Sequence, residues 1–195
     1  MNTDPVSQRL TALREAMTAN GVAAYLIPVG DPHASEYLPD HYTSLTWFSG
    51  FHGENATLVV TRTESALWAD GRYFVQAEKE LAGTEIRLQR MDEPGVPTVE
   101  EYCAAALSEG EALGLCGLTA STALVKRLEA ALHKKGAAVR TLCLEDQLWT
   151  EGRPPLPDTP AWVLGKEYAG FSPAEKLDRL RAALRKEGST AQFVG

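Results

Sequence analysis

The sequence predicts an α/β protein. It reads as a layered domain with a mixed β-sheet flanked by helices, followed by the start of a second, similar domain. Three observations carry this. Short apolar runs alternate with segments of helical period through residues 1–150. A proline-rich break follows at 151–160. Residues 161–195 then open a new unit whose first segment echoes the start of the chain.

In order, Val6, Leu10, Leu13 and Met17 fall on one helical face, and Asn20-Gly21 supplies the stop. "AAYLIPV" reads as a buried strand ended by Pro28 and Gly30. "ATLVVT" and "SALWA" are two more strands, and the "RTE" between them is short enough for a hairpin. "RYFVQAEKELAG" is helical in pattern, with Ala77 and Leu81 on one face and Gly83 closing it. "EIRLQRM" is a strand. "TVEEYCAAAL" is a helix in which Thr98 and Glu101 have the spacing of a capping box. "ALGLCGL" and "AAVRTLCL" are strands. The helix between them, "STALVKRLEAALHKKG", is capped by Ser121 or Thr122 and stopped by Gly136.

"EGRPPLPDTP" holds four prolines in ten residues and is read as a linker. Beyond it, "AEKLDRLRAALRKEGSTAQFV" aligns with "SQRLTALREAMTANGVAAYLI". Leu10 meets Leu177, Leu13 meets Leu180, Arg14 meets Arg181 and Gly21 meets Gly188, with Phe193-Val194 in a following strand. A duplicated unit explains the match. So does the general likeness of any helix–glycine–strand segment, and both readings stay open. A lone helix and strand cannot bury both faces, so the sequence is expected to be a piece cut inside its second domain.

Composition narrows the function. The chain has 195 residues, 44% hydrophobic and 23% charged, enough for a sizeable core. Nineteen basic against 26 acidic residues give a net charge of −7, which argues against a nucleic-acid partner. No apolar run approaches the roughly 18 residues of a membrane span, and the N-terminus lacks a signal core, so a cytoplasmic location is expected. Cys103, Cys116 and Cys143 form no CxxC and are expected to be reduced, small core residues.

Local chemistry is sparse. Asp31, His33, Glu36, Asp40 and His41 crowd one loop, but in no metal-ligand spacing, and are read as a polar loop satisfying its own turns. His133 sits at a helix end beside Lys134 and Lys135. Gly50 and Gly53 lack the Gly-Lys-Ser/Thr of a phosphate loop. The better case is Arg72, in "ALWADGRYFVQAE". Asp70 can cap the next helix, Gly71 permits a sharp turn, and Arg72 would lie at the helix N-terminus beyond the carboxyl end of a strand. An ion pair with Asp70 or another neighbouring acid, and a contact to a carbonyl or carboxylate of a ligand or another subunit, are both open from spacing alone.

The segments "YLIPVGDPHASEYLP", "FSGFHGENATLVVT" and "LWADGRYFVQAEKEL" resemble the N-terminal domain of Xaa-Pro aminopeptidase (aminopeptidase P), of the creatinase/prolidase superfamily. "EDQLWTEGRPPLP" resembles that family's junction into its second domain, so the likeness covers essentially the whole chain. It implies a three-domain enzyme whose last, "pita-bread" domain binds two metal ions, usually Mn2+, through two Asp, one His and two Glu. A metal-bridging hydroxide there attacks the carbonyl before proline and releases the N-terminal residue.

For this chain the resemblance implies no catalytic residue, no metal ligand and no hydrolytic activity in isolation. One family residue carries over. The arginine of DGRY, here Arg72, binds the peptide substrate in similar enzymes, with Asp70 and Gly71 to position it. The resemblance further implies peptide substrates with proline second, a homo-oligomer (dimer) and a cytoplasmic enzyme. After "SGF" the family commonly reads small residues and a further glycine; "HGENA" departs from that, and the role of this loop is open. Two other readings remain: a non-enzymatic peptide- or protein-binding module, and the N-terminal domain of a prolidase.

Overall fold

A computed structural model describes residues 5–191 of the chain. They divide into two compact units, one ending at Pro157 and one beginning at Asp158. The first contains α1 (Pro5–Ala19), β1 (Ala24–Pro28), a 3-10 turn (Asp40–Tyr42), α2 (Ser44–Ser49), β2 (Ala56–Thr61) and β3 (Ser65–Ala69). It continues with α3 (Phe74–Glu80), β4 (Ile86–Arg90), α4 (Val99–Ala106), β5 (Ala112–Leu115), α5 (Thr122–His133), β6 (Ala138–Thr141) and α6 (Glu145–Leu148). Each element read from periodicity in this region is present. The short helices α2 and α6 are additions, because four to six residues are too few for a helical period to register.

The strands form one mixed sheet in the order β4-β3-β2-β1-β5-β6. β2 runs antiparallel to both β1 and β3, and the other pairings are parallel. Connection length decides which is which. Three residues join β2 to β3, closed by Thr61 N–H donating to Glu64 O at 2.8 Å, which only a hairpin can use. The parallel pairs β3–β4 and β5–β6 each have a helix in their crossover, α3 and α5. The result is that β1, β3, β4, β5 and β6 all end at one edge of the sheet.

Alternation along the strands feeds two cores. Tyr25, Ile27, Leu58, Val60 and Leu67 face α1 and α2, meeting Leu10, Leu13, Met17, Phe48 and Phe51. Leu26, Val59, Trp68, Leu113 and Leu115 face α4 and α5, meeting Cys103, Leu128 and Leu132. Each such leucine, fully withdrawn from water, contributes roughly 2 kcal/mol. Thr98 and Glu101 form the expected capping box on α4, and Ser121 caps α5 by accepting from Leu124 N–H.

The cysteines correct an expectation. Cys103 is free and buried, as read from sequence, and burial pushes its pKa up to about 12. Cys116 and Cys143, expected to be reduced, are joined in a disulfide. Adjacent parallel strands explain it. The β5–β6 register pairs Leu115 with Thr141, so residues just past both strands arrive side by side although 27 positions separate them.

In the second unit, residues 158–165 contain no helix or strand. α7 (Lys166–Ala169) and α8 (Pro173–Lys186) follow, and Ser172 and Glu175 form a capping box on α8. The strand expected at Phe193-Val194 lies outside the described residues.

Candidate functional site

The carboxyl ends of β1, β3, β4 and β5 open onto a broad cavity of about 1300 Å³. Its wall includes Gly30, Asn55, Arg72, Met91, Gly117 and Arg127. This is the edge where open α/β sheets gather ligands, because the strands stop there and loops take over. Gly30 is needed for the close approach of two of these loops: a Cβ on it would meet Thr119 O at 2.6 Å. The wall carried by α2 is held from behind. The rings of Trp47 and Trp149 stack with centroids 5.6 Å apart, and Arg9 lies over Trp47.

Arg72 lies at this edge, but not quite as expected. Helix α3 starts at Phe74, and its N-cap, Tyr73, makes no side-chain cap bond. Asp70 therefore caps a turn and not the helix. Its Oδ1 accepts from Arg72 N–H at 2.9 Å, while its backbone carbonyl accepts from Tyr73 N–H at 2.9 Å. A short polar side chain closes such a turn by taking up backbone donors that the helix has not yet begun to use. Arg72 sits in the turn, ahead of the helix dipole.

The ion pair foreseen as one of two readings is present. Arg72 Nη2 donates to Asp70 Oδ2 at 2.7 Å, with Nε 3.2 Å from both carboxylate oxygens. These bonds, the guanidinium's first among them, hold the Asp70 carboxyl well below its ordinary range, at about 2. Asp70 keeps Arg72 charged in return. The two side chains differ in access: 19% of the Asp70 side chain is exposed, against 68% of Arg72. The Arg72 guanidinium also lies 5.3 Å from the Tyr73 ring, and its Nη1 has no hydrogen bond among the described residues. The arrangement is an anchored acid holding out a cation that keeps donors to spare.

Asn55 was not singled out from sequence. Its Nδ2 donates to Asp70 Oδ2 at 2.9 Å. Cross-strand counting would have found it, since Ala56 pairs with Ala69 and the residues one step beyond are Asn55 and Asp70.

The crowded loop behaves as a polar loop. Asp31 accepts from the N–H groups of Ser35 and His33, which lower its pKa. His41 Nδ1 bonds the Pro154 carbonyl at 2.8 Å, and Arg153 Nε donates to His41 O. His52 N–H donates to Glu80. His133 ends α5. Among the described residues no group of three or more His, Cys, Asp and Glu could hold a metal ion. No helix is long and apolar enough to cross a membrane.

A family model described as the Creatinase/Prolidase N-terminal domain matches residues 9–145. Aminopeptidase P2 of Arabidopsis thaliana is 36% identical over 194 residues, 97% of this chain and 27% of that protein. Xaa-Pro aminopeptidase 2 of Rattus norvegicus is 30% identical over 181 residues, 92% of this chain and 26% of that protein. The crystal structure of X-prolyl aminopeptidase from Caenorhabditis elegans, described as a cytosolic enzyme with a di-nuclear active site, superposes with a TM-score of 0.78 at 31% identity. It covers 94% of this chain and 31% of its own. The N-terminal domain of the cytoplasmic peptidase PepQ from Mycobacterium tuberculosis shares the fold alone, with a TM-score of 0.52 at 23% identity, over 72% of this chain and 96% of its own. The chain thus spans less than a third of the length of these three aminopeptidases.

Proposed function

This chain belongs to the Creatinase/Prolidase N-terminal domain family, and from that premise we propose that it is the N-terminal, non-catalytic part of a metal-dependent Xaa-Pro aminopeptidase. The whole enzyme would release the N-terminal residue from peptides with proline at the second position. The observation that carries the reading is Arg72, a charged, exposed side chain anchored by Asp70 at the cavity edge of a domain related to those of aminopeptidases. Arg72 would donate hydrogen bonds to a carbonyl or carboxylate of the peptide. A planar, permanently charged fork suits that task, because it binds such oxygens directionally and does not titrate in the working range.

Within this reading the full-length enzyme would hold two metal ions, Mn2+, whose chemistry would be Lewis-acid activation of water for peptide hydrolysis. The described residues bring no donor set together that fits such a pair, so no step of the metal chemistry is assigned to them. What this chain contributes is peptide positioning through Arg72 and contacts in a dimer. Residues 1–150 would form the first domain, 151–160 a linker and 161–195 the start of a second related domain. A cytoplasmic enzyme accords with the C. elegans relative being described as cytosolic.

Two assays test this. In the full-length protein, Arg72→Ala should lower kcat/KM on a Xaa-Pro peptide about tenfold or more while the domain stays folded. Unchanged kinetics would return Arg72 to a surface ion pair and overturn its role. The isolated 195-residue chain with added Mn2+ should not cleave the same peptide, and cleavage would overturn the non-catalytic assignment.

A further inference from the structure

We infer that Asn55 is a positioning residue for Arg72, acting through Asp70; the inference rests on the proposal that Arg72 touches the peptide. β2 and β3 are antiparallel, and Ala56 faces Ala69 across the ladder. One step further the ladder has ended, so the side chains of Asn55 and Asp70 occupy the place where the next pair would have stood. There the Asn55 amide replaces the missing backbone link, donating to Asp70 Oδ2 at 2.9 Å.

The Asp70 carboxylate is thereby bounded by donors from two elements. Oδ1 takes the Arg72 N–H and Nε, and Oδ2 takes Arg72 Nη2 and Nε together with Asn55 Nδ2. The donors on Arg72 belong to the same turn as the acid, so they hold the two side chains to each other but not to the neighbouring strand. Asn55 is the donor outside that turn, immediately ahead of β2, a strand buried in the sheet. It ties the carboxylate to the scaffold, and the carboxylate in turn aims the guanidinium. Asn55 and Arg72 both line the cavity. This gives a physical role to the asparagine of "HGENA", the stretch that departs from the family pattern.

An asparagine is suited to this because its amide adds a donor without adding charge. A lysine there would compete with Arg72 for the carboxylate, and an aspartate would repel it.

The test is steady-state kinetics of the full-length protein on a Xaa-Pro peptide. Asn55→Ala should raise KM about fivefold with a smaller change in kcat, and the isosteric Asn55→Asp, which swaps a donor for a like charge, should raise it further. Neither should move the denaturant midpoint as a core substitution does. In an Arg72→Ala background Asn55→Ala should add nothing, because there is no longer a guanidinium to aim. Normal KM in both Asn55 variants, with Arg72→Ala still impaired, would overturn the inference and leave the role of Arg72 standing. Additive losses in the double variant would overturn it too, since Asn55 would then act elsewhere. Wild-type kinetics in Arg72→Ala would remove both claims together.

Discussion

The hydroxyl of Tyr25, on β1, and the carboxyl group of Glu145, in α6, hydrogen-bond inside the core across 120 residues of sequence. The same hydroxyl accepts from Leu144 N–H at 3.0 Å and lies 2.8 Å from the Leu142 carbonyl. A phenol carries one proton, so Tyr25 can satisfy both Leu142 O and an ionised Glu145 only in turn. If Glu145 is protonated, it donates to Tyr25 and Tyr25 donates to Leu142, so both hydroxyl protons are used, while Glu145 Oε1 has no hydrogen bond among the described residues. Glu145 is 3% exposed, and burial pushes its pKa up to about 7, against the opposing pull of the Tyr25 hydrogen bond.

That geometry sets a pH dependence. The folded-state pKa lies above the ordinary 4.5, so the fold favours the protonated acid. The associated stability is fully present below pH 4.5 and is lost as pH rises through about 7. Glu145→Gln keeps a donor for Tyr25 without a charge. Above pH 7 it should be the more stable form, by an amount on the order of 3 kcal/mol. Denaturant midpoints of both proteins across this range are the check, and parallel pH curves would refute the assignment.

Gly114 is expected to resist any side chain. A Cβ there would stand 2.7 Å from Tyr25 Cδ2 and 3.1 Å from Leu142 Cδ2. Tyr25 cannot yield, since its ring is fully buried and its hydroxyl is tied to α6 and its approach. Gly114→Ala should therefore cost about 1–3 kcal/mol by overpacking. Gly117→Ala makes the internal comparison: its Cβ would meet Thr141 Cγ2 at an ordinary 3.4 Å and should cost far less. Equal midpoints for the two variants would contradict the argument.

The cysteines predict a thiol count. Unfolded without reductant, the chain should titrate one thiol, Cys103; after reduction it should titrate three. Closing a loop of 27 residues restricts the unfolded chain, so reduction should lower stability by roughly 3 kcal/mol. Cys116→Ser/Cys143→Ser should match the reduced wild type. Three thiols before reduction would contradict the pairing.

The sequence by itself determined the longer helices, the strands and their order. Val6, Leu10, Leu13 and Met17 share a face because a helix repeats every 3.6 residues. Thr98 and Glu101 cap a helix because the reciprocal bonds span only one turn. Such features are local, so a single chain spells them out. The motif around Arg72 was legible for the same reason, as a strand end, a turn and a charge within a few residues. What only the tertiary structure decided were meetings set by strand order and register. These put Asn55 against Asp70, Cys116 against Cys143 and Tyr25 against Glu145. Each of these pairings joins residues whose spacing along the chain carries no period. Only the sheet, by stacking strands side by side, converts a count of residues into a contact.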